Sequence, residues 1–318
     1  MNNSITVTIQ GGLGKVLCAS AALRGLRKKY PDKKIIVLSG WSDIFMANPN
    51  VDRAYSFNEN KYLYEDFVKD GMLLTQDPYN LDSYRLDKVH LAQAFCEAFN
   101  VEYDGNPKPD VYIPESFVNK ALLDFKDLRK KNLPIIVIQP LGASKIDKEL
   151  NKIIPTGREN VALFHKLIKE KQDKVLFIVM KTPQQPNIGE GDNVLILKTG
   201  VHFLQWAAYI SLADAFIGVD SSGHHMAAAF NKPSIVMYGR TDPKNLSYSN
   251  ETVVDGECED LHCNGFLSVP LNSTCKKNYK CVNNLPYENL EKPVDDLIDN
   301  LLKYVKVEDD KVEEIENK

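Results

Sequence analysis

The sequence has few cysteines and tryptophans, no excess of basic residues and no long hydrophobic run. Its 318 residues include six cysteines and two tryptophans, and the formal net charge is -4 at pH 7. Six cysteines in a chain of this length do not make a disulfide framework, so we expect metal ligands or core thiols in a reducing compartment. Because the net charge is negative, the chain as a whole does not attract nucleic acid, and any contact with nucleic acid has to involve a local basic patch.

No apolar run reaches the roughly 18 residues that a membrane-spanning helix needs. The N-terminal segment MNNSITVTIQ lacks a basic region followed by a long apolar core, which predicts no signal peptide and a cytoplasmic location. The composition, 43% hydrophobic and 26% charged, is typical of a globular chain, and the length fits two domains. The sequence does not predict an oligomeric state.

Short apolar runs alternate with helical patterns in both halves of the chain, which is typical of parallel sheets built from βαβ units. The first such unit has ITVTI as a strand, KVLCASAALRGLRKKY as a helix and KKIIVLSG as a second strand. Residues 50–110 are less regular, and we expect loops there. The pattern restarts at IIVIQP after the basic segment FKDLRKKNLP, which indicates a second Rossmann-like half.

A glycine segment, GGLGK, follows the first predicted strand and raises the question of a phosphate-binding loop. A P-loop requires a glycine five residues before Gly14 and a Ser or Thr after Lys15, and the sequence has Ile9 and Val16 there. A dinucleotide fingerprint fails as well, because its third glycine falls on Leu17. Two interpretations stay open: a turn whose backbone N–H groups approach a ligand, or a tight turn without one.

A second glycine segment is longer and more ordered: ADAFIGVDSSGHHMAAAFNKPSIVMYGRTDP, residues 213–243. A predicted buried strand ends at Asp220, a Ser-Ser-Gly turn follows, and His224 and His225 open a helix of small residues. The positive end of that helix favours an anion. Both glycine segments follow strands, and open α/β sheets bind ligands at the carboxyl ends of their strands.

This second segment resembles the donor-site signature of the heptosyltransferase-type glycosyltransferases, a group similar to glycosyltransferase family 9. QPLGASKIDKELNKIIPTGREN is similar to the start of their second domain, with a Lys-x-x-Pro element at 152–155, and GGLGKVLCASAALRGLRKKYPDKKIIVL resembles their N-terminal loop, helix and strand. The resemblance implies an α/β chain of the GT-B fold, with two Rossmann-like domains facing a central cleft.

The restart of the strand pattern, the positions of the cysteines, the acidic C-terminus and the resemblance together predict a division of the chain into four parts. We expect an N-terminal acceptor-binding domain at 1–130 and a C-terminal nucleotide-sugar-binding domain at 131–285, which includes a cysteine-rich loop at 258–281. A C-terminal helix at 286–306 is expected to cross back to the first domain, and residues 307–318 form an acidic tail.

The implied activity is inverting, metal-independent transfer of a sugar from a nucleotide-diphosphate sugar to a hydroxyl of a glycan or lipopolysaccharide-like acceptor, without a cofactor. Backbone donors, a helix N-terminus and a lysine are the groups that stabilise a departing diphosphate. No convincing Asp-x-Asp motif is present, which agrees with metal independence. Carried over by position, the residues expected to bind the donor are Gly11, Gly12, Gly14, Lys152, Lys181, Asp220, Ser221, Ser222, Gly223, His225 and Arg240.

The expected general base is missing, because Lys15 stands where the family has an aspartate after the first glycines. A lysine with its ordinary pKa is protonated and does not accept the acceptor's proton. The base lies elsewhere, Lys15 is a phosphate clamp, or the protein is not catalytic. We predict Asp77, Asp82 and Lys15 as catalytic residues, with Asp87 and His90 as further candidates, against the alternative of a solvated loop with a helix cap.

The cysteines form a second constellation, because four of them fall within CEDLHCNGFLSVPLNSTCKKNYKC. Four thiolates are able to hold a structural Zn²⁺ or iron, although the pair spacings are wider than the usual two-residue knuckle. The alternative is a loop packed by thiols. The predicted metal ligands are Cys258, Cys263, Cys275 and Cys281.

Two alternatives to this function stay open. The same chemistry could act on a nucleic-acid base, held by the basic patch of Lys276, Lys277 and Lys280, or on a protein acceptor. A homologue without its general base would only bind sugar nucleotides or glycans. Because the chain is acidic overall, we favour a glycan or lipid-linked acceptor over nucleic acid.

Overall fold

The computed structural model describes residues 4–57, 59–142, 145–147, 152–154, 160–183, 185–197, 202–263, 277 and 280–316, without the side chains of 145–147, 152–154 and 304–316. The chain forms two compact units. The first is Met1–Pro114 with Pro243–Tyr248, and the second is Glu115–Asp242 with Ser249–Lys318. Within the described ranges no helix is long and apolar enough to cross a membrane. The cytoplasmic location stays a prediction.

The first unit contains a four-stranded parallel sheet in the order β3-β2-β1-β4. Strand β1, one of the two inner strands, is buried almost throughout, because helices cover both faces of a parallel sheet. The predicted first helix is in fact two, which meet at Ala19. The elements are β1 (Ser4–Ile9), α1 (Leu13–Cys18), α2 (Ser20–Lys29), β2 (Lys34–Ser39), β3 (Arg53–Tyr55), β4 (Met72–Leu74), α3 (Asp82–Arg85) and α4 (Leu91–Ala98).

The segment Pro243–Tyr248 belongs to this first unit although it follows the second glycine segment in the chain. Asn245 donates a hydrogen bond of 2.5 Å from Nδ2 to Oδ1 of Asp87. The hydroxyl of Tyr248 lies 3.6 Å from Sγ of Cys18, and its ring centroid lies 5.2 Å from that of His90. These contacts tie the segment to α1 and to the start of α4.

The second unit contains a six-stranded parallel sheet in the order β12-β11-β10-β5-β8-β9. Its strands are β5 (Ile135–Gln139), β8 (Leu176–Val179), β9 (Val194–Ile196), β10 (Ala215–Val219), β11 (Ser234–Tyr238) and β12 (Glu251–Asp255), with an antiparallel pair of β6 (Lys145–Asp147) and β7 (Lys152–Ile154). Its helices are α5 (Glu115–Arg129), α6 (Val161–Lys171), α7 (Phe203–Leu212), α8 (Ser222–Ala229), α9 (Lys280–Asn283) and α10 (Tyr287–Glu316).

Helix α5 belongs to the second unit. The observed division between the units therefore falls at Pro114, whereas the sequence analysis predicted it near residue 130. The reason is packing against α7. Arg129 forms an ion pair of 2.6 Å with Asp214, and Gln205 donates to the carbonyl of Phe117 at 3.0 Å. The hydroxyl of Tyr209 also donates to the carboxylate of Asp124.

The long C-terminal helix α10 completes the core of the second unit. Leu290, Val294 and Ile298 are fully buried there. Lys171 of α6 is 8% exposed and pairs with two carboxylates of α10, at 3.0 Å from Glu291 and 2.8 Å from Asp295. Burial lowers the pKa of Lys171, but the hydrogen bonds and charges of Asp295 and Glu291 outweigh it and raise the pKa above its usual value. The predicted return of this helix to the first unit stays a prediction.

Candidate functional site

Gly11 in the first loop makes room for the side chain of Lys15. Gly11 has a φ of +123°, and a Cβ at this position would lie 2.7 Å from Cδ of Lys15. Gly12 precedes α1 and its carbonyl accepts the N–H of Val16 at 3.1 Å, while Trp41 donates from Nε1 to the carbonyl of Gly11 at 3.2 Å. Only glycine fits Gly11 without displacing the lysine, so the loop is shaped around Lys15.

Lys15 forms an ion pair with Asp77, which is 62 residues away in the chain. Its Nζ lies 2.7 Å from each carboxylate oxygen and 4.0 Å from the ring centroid of Tyr79. Asp77 lies just beyond β4, which pairs with β1, so the two strand ends are neighbours. The Asp77 carboxylate also caps the short 3₁₀ helix 78–80 by accepting the N–H of Tyr79 at 2.9 Å.

The two partners differ strongly in exposure. The side chain of Lys15 is 7% exposed and that of Asp77 is 39% exposed. Burial lowers the pKa of Lys15, and the hydrogen bond and charge of Asp77 offset this only in part. The carboxylate therefore stays available to a ligand while its ammonium partner is enclosed. Both line a cavity of about 100 Å³ whose other walls are Thr8, Gln10, Thr75, Gln76, Pro78 and Phe95.

The other candidates for the base have different contacts. Asp82 is exposed in the first turn of α3. Asp87 has a φ of 52° and accepts the hydrogen bond from Asn245. His90 caps α4 by accepting the N–H of Ala92 on Nδ1 at 3.1 Å. Of the predicted catalytic residues, the structure thus brings Lys15 and Asp77 together and leaves Asp82 at the surface.

In the second unit, the turn after β10 is fixed by the neighbouring strand β5. The N–H of Gly223 donates to Oε1 of Gln139 at 2.9 Å, and Nε2 of Gln139 donates to Oγ of Ser221 at 3.3 Å. A Cβ on Gly223 would lie 2.3 Å from the same Oε1, so the turn requires glycine. This contact sets where α8 begins, at the carboxyl edge of the sheet.

His224 lies at the centre of a buried polar cluster that sequence reasoning missed. It is 0% exposed, and its Nδ1 lies 2.8 Å from Oε1 of Glu251. Its Nε2 lies 3.6 Å from Oδ1 of Asp220, and the hydroxyl of Tyr238 donates to Oε2 of Glu251 at 3.2 Å. Burial lowers the pKa of His224, but the charges and hydrogen bonds of Glu251 and Asp220 outweigh it and raise the pKa to about 9.

His225 lies beside this cluster, with its ring centroid 3.9 Å from that of His224. Asp220, His224 and His225 are all buried and each offers one ligand atom, with the three atoms within 4.8 Å of one another. Within the part of the chain that the structure describes, this is the one group of three or more His, Cys, Asp or Glu side chains that close together. The sequence signal for it was the adjacent His-His pair, which we interpreted only as part of a donor site.

The described cysteines of the predicted metal site do not form such a group. Cys281 is 5% exposed in the core of the second unit, Cys258 packs against that core, and Cys263 is exposed. Cys275 lies outside the described residues. The four-cysteine site stays a prediction.

Two more residues of the predicted donor set, Lys181 and Arg240, follow the carboxyl ends of β8 and β11. Lys181 follows β8 and donates to Oδ1 of Asn187 at 2.9 Å. Arg240 is half-buried and follows Gly239, whose carbonyl accepts the N–H of His262 at 3.1 Å. Lys152 is the first residue of β7, and its side chain lies outside the described residues.

Sequence comparison gives a family match over more than half of the chain. Residues 87–263 match the sequence model of glycosyltransferase family 9 (heptosyltransferase). The chain is also 23% identical to lipopolysaccharide heptosyltransferase 3 of Escherichia coli, over 72% of this chain and 81% of that protein.

Solved structures show the same fold. A family 9 glycosyl transferase from Veillonella parvula DSM 2008 has a TM-score of 0.65 at 16% identity, covering 94% of this chain and 98% of that one. The E. coli ADP-heptose lps heptosyltransferase II has a TM-score of 0.62 at 14% identity, covering 93% and 98%. The iron-containing dodecameric glycosyltransferase TibC from enterotoxigenic E. coli has a TM-score of 0.66 at 11% identity, covering 94% and 77%. The predicted α/β GT-B class is confirmed.

Proposed function

The chain belongs to glycosyltransferase family 9, and from this premise we propose that it transfers a sugar from a nucleotide-diphosphate donor to a hydroxyl group of a lipopolysaccharide-like acceptor. The observation that carries the proposal is that the matched residues 87–263 include the turn after β10. Two solved structures of similar fold are named for ADP-heptose or hold it, so ADP-heptose is the first donor to test.

The donor is proposed to bind at the carboxyl edge of the second sheet. The N–H of Gly223 is bonded to Gln139, so the other backbone N–H groups in the first turn of α8 are proposed to donate to phosphate oxygens, with the helix dipole adding to this attraction. Asp220 and His225 are proposed to contact the sugar and the diphosphate, and Lys152 to neutralise the leaving group. These are donors fixed before the reaction, which is what stabilises the charge that develops on a departing diphosphate.

The acceptor hydroxyl is proposed to meet Asp77 in the cavity of the first unit. Its oxygen attacks the anomeric carbon from the face opposite the diphosphate, and its proton passes to the Asp77 carboxylate. The bond between the anomeric carbon and the diphosphate oxygen breaks, and the nucleoside diphosphate leaves with the electron pair. The sugar configuration is inverted, and no metal ion takes part in the step.

Lys15 is proposed as a positioning residue for this base. Its enclosed ammonium contacts both oxygens of Asp77, which fixes the orientation of the carboxylate. The carboxylate is acceptor-only when ionised and offers about four lone-pair sites. Lys15 and the N–H of Tyr79 occupy part of this capacity, and the exposed remainder is directed to the cavity.

Donor binding is tested by thermal shift of the purified chain against ADP-heptose and other nucleotide sugars. Binding to the native state raises the melting temperature by mass action. We expect one donor to stabilise the wild type and to lose its effect in Asp220→Asn and His225→Ala. Asp192→Asn, an exposed aspartate of the same unit, is the matched control and should keep the shift.

The result also separates the two steps of the proposal. A donor that stabilises the wild type and the control but neither variant supports the site after β10. If no nucleotide sugar changes the melting temperature, or if the two variants respond like the wild type, the donor site is not at these residues. Donor binding without turnover on any acceptor would favour a protein that only binds sugar nucleotides.

A further inference from the structure

We propose that Asp220, His224 and His225 form a binding site for a divalent transition metal such as Zn²⁺, with Glu251 as the outer support of His224. The three side chains are 3%, 0% and 3% exposed, and their ligand atoms lie within 4.8 Å of one another. Two imidazoles and one carboxylate are the donor set of open zinc sites, which keep the fourth position for water or a substrate.

The distance between two of the ligand atoms already suits one metal ion. Nε2 of His224 and Oδ1 of Asp220 are 3.6 Å apart. With metal–ligand bonds of about 2.0–2.1 Å, two atoms at that separation subtend about 120° at the metal, near the tetrahedral angle. His225 adds a third ligand atom to a set whose members all lie within 4.8 Å of one another.

His224 has a carboxylate behind its outer nitrogen, as metal-bound histidines do, and a bound metal would replace the ring proton that its raised pKa favours, releasing it to solvent. Nδ1 lies 2.8 Å from Oε1 of Glu251, which fixes the ring so that Nε2 is directed to Asp220. A carboxylate behind the non-ligating nitrogen orients such a histidine and raises its basicity. Tyr238 in turn holds Glu251 with a hydrogen bond of 3.2 Å.

The chemistry of the ligands selects the class of metal. Imidazole nitrogens suit Zn²⁺, Co²⁺ and Ni²⁺, whereas Mg²⁺ and Ca²⁺ take oxygen ligands in larger number. The site differs from the predicted cysteine site, because it contains no thiolate.

Under the proposed function, the metal site and the donor site share two side chains. Asp220 and His225 are also the side chains proposed to bind the donor, so a bound metal and the nucleotide sugar compete for them. Zn²⁺ should therefore weaken donor binding, and removal of metal with a chelator should not lower turnover.

Metal binding is tested by titrating the full-length, chelator-treated chain with Co²⁺ and recording its absorption spectrum, with Cys263→Ser and Cys275→Ser in every sample to disable the predicted cysteine site. The expected result is one Co²⁺ per chain, with visible bands of a tetrahedral or five-coordinate ion and without the intense near-ultraviolet band of a thiolate ligand. Asp220→Asn and His225→Gln should abolish this signal, and Glu251→Gln should weaken affinity by about 10–100-fold. The control is His165→Ala, an exposed histidine of the same unit.

Far-ultraviolet circular dichroism and the melting temperature of each variant establish that it is folded. Absence of any Co²⁺ signal from the chain that carries only the two cysteine substitutions, a thiolate band in that chain, or a signal unchanged by Asp220→Asn and His225→Gln would overturn the site. Because the readout contains no sugar nucleotide, failure of the proposed function leaves this test intact. Stimulation of donor binding by Zn²⁺ would overturn the competition.

Discussion

Lys15 and Asp77 should respond very differently to removal of their partner, because one is enclosed and the other is half exposed. Lys15→Met keeps the length of the side chain beside Gly11 and leaves Asp77 able to regain water. Asp77→Asn keeps the shape of the carboxylate and leaves a buried ammonium without its counter-charge. Asp77→Asn should therefore destabilise the first unit more than Lys15→Met does.

The magnitudes follow from the exposures of 7% for Lys15 and 39% for Asp77. Breaking a fully buried pair costs about 3–5 kcal/mol, and the partial exposure here reduces the cost of Asp77→Asn to about 2–3 kcal/mol. Lys15→Met loses a charged hydrogen bond but also the burial of an ammonium, for a net cost of about 1 kcal/mol. The double variant should cost about the same as Lys15→Met alone, since no unpaired ammonium is left.

The assay is urea unfolding followed by tryptophan fluorescence in a Trp206→Phe background. The chain has two tryptophans, and the remaining Trp41 donates a hydrogen bond to Gly11 in the loop next to Lys15. Its emission therefore reports on the first unit.

The reasoning is refuted if Lys15→Met destabilises the first unit more than Asp77→Asn does. It is also refuted if the costs of the two single variants simply add in the double variant. Either result would mean that the buried ammonium does not depend on Asp77.

Three further predictions concern other contacts. Gly11→Ala should cost about 1–3 kcal/mol, because a positive φ is strained for alanine and its Cβ displaces Lys15, and the same urea assay measures it. Because the pKa of His224 is raised in the folded state, its protonation stabilises the folded protein fully below about pH 6.5, and this contribution is lost as the pH rises through about 9. Glu251→Gln should therefore make the melting temperature of the chelator-treated protein less dependent on pH in this range. Lys171→Met should destabilise the second unit by about 1–3 kcal/mol, measured by Trp206 fluorescence in a Trp41→Phe background, whereas an exposed lysine of α6 should tolerate the same change.

Most of the sheet strands were predictable, because continuous apolar runs such as ITVTI and IIVIQ mark strands buried on both faces. The contacts that decide where one unit ends and the other begins were not predictable. Helix α5 follows the first unit in the chain, yet Arg129 pairs with Asp214, 85 residues later. Nothing local in the sequence encodes that choice.

The candidate site was predictable as a set of residues but not as pairs. Lys15 stood out because an aspartate was expected, and Asp77 was one of several acidic candidates. Their pairing depends on β4, a three-residue strand in an irregular region that places Asp77 beside the end of β1. His224 was missed because the resemblance directed attention to His225, and its partner Glu251 begins a strand 27 residues later.

The central claim is that Asp77 accepts the proton of the acceptor, and the most direct measurement is the turnover of Asp77→Asn and Asp82→Asn under saturating donor. Asp82 is the matched control, an exposed aspartate five residues along the chain. A general base contributes about 10²–10⁴-fold, so kcat of Asp77→Asn should fall by about that factor while the donor-induced thermal shift is kept. Asp82→Asn should retain the wild-type rate. Near-normal turnover by Asp77→Asn, or an equal loss in both variants, would contradict the account.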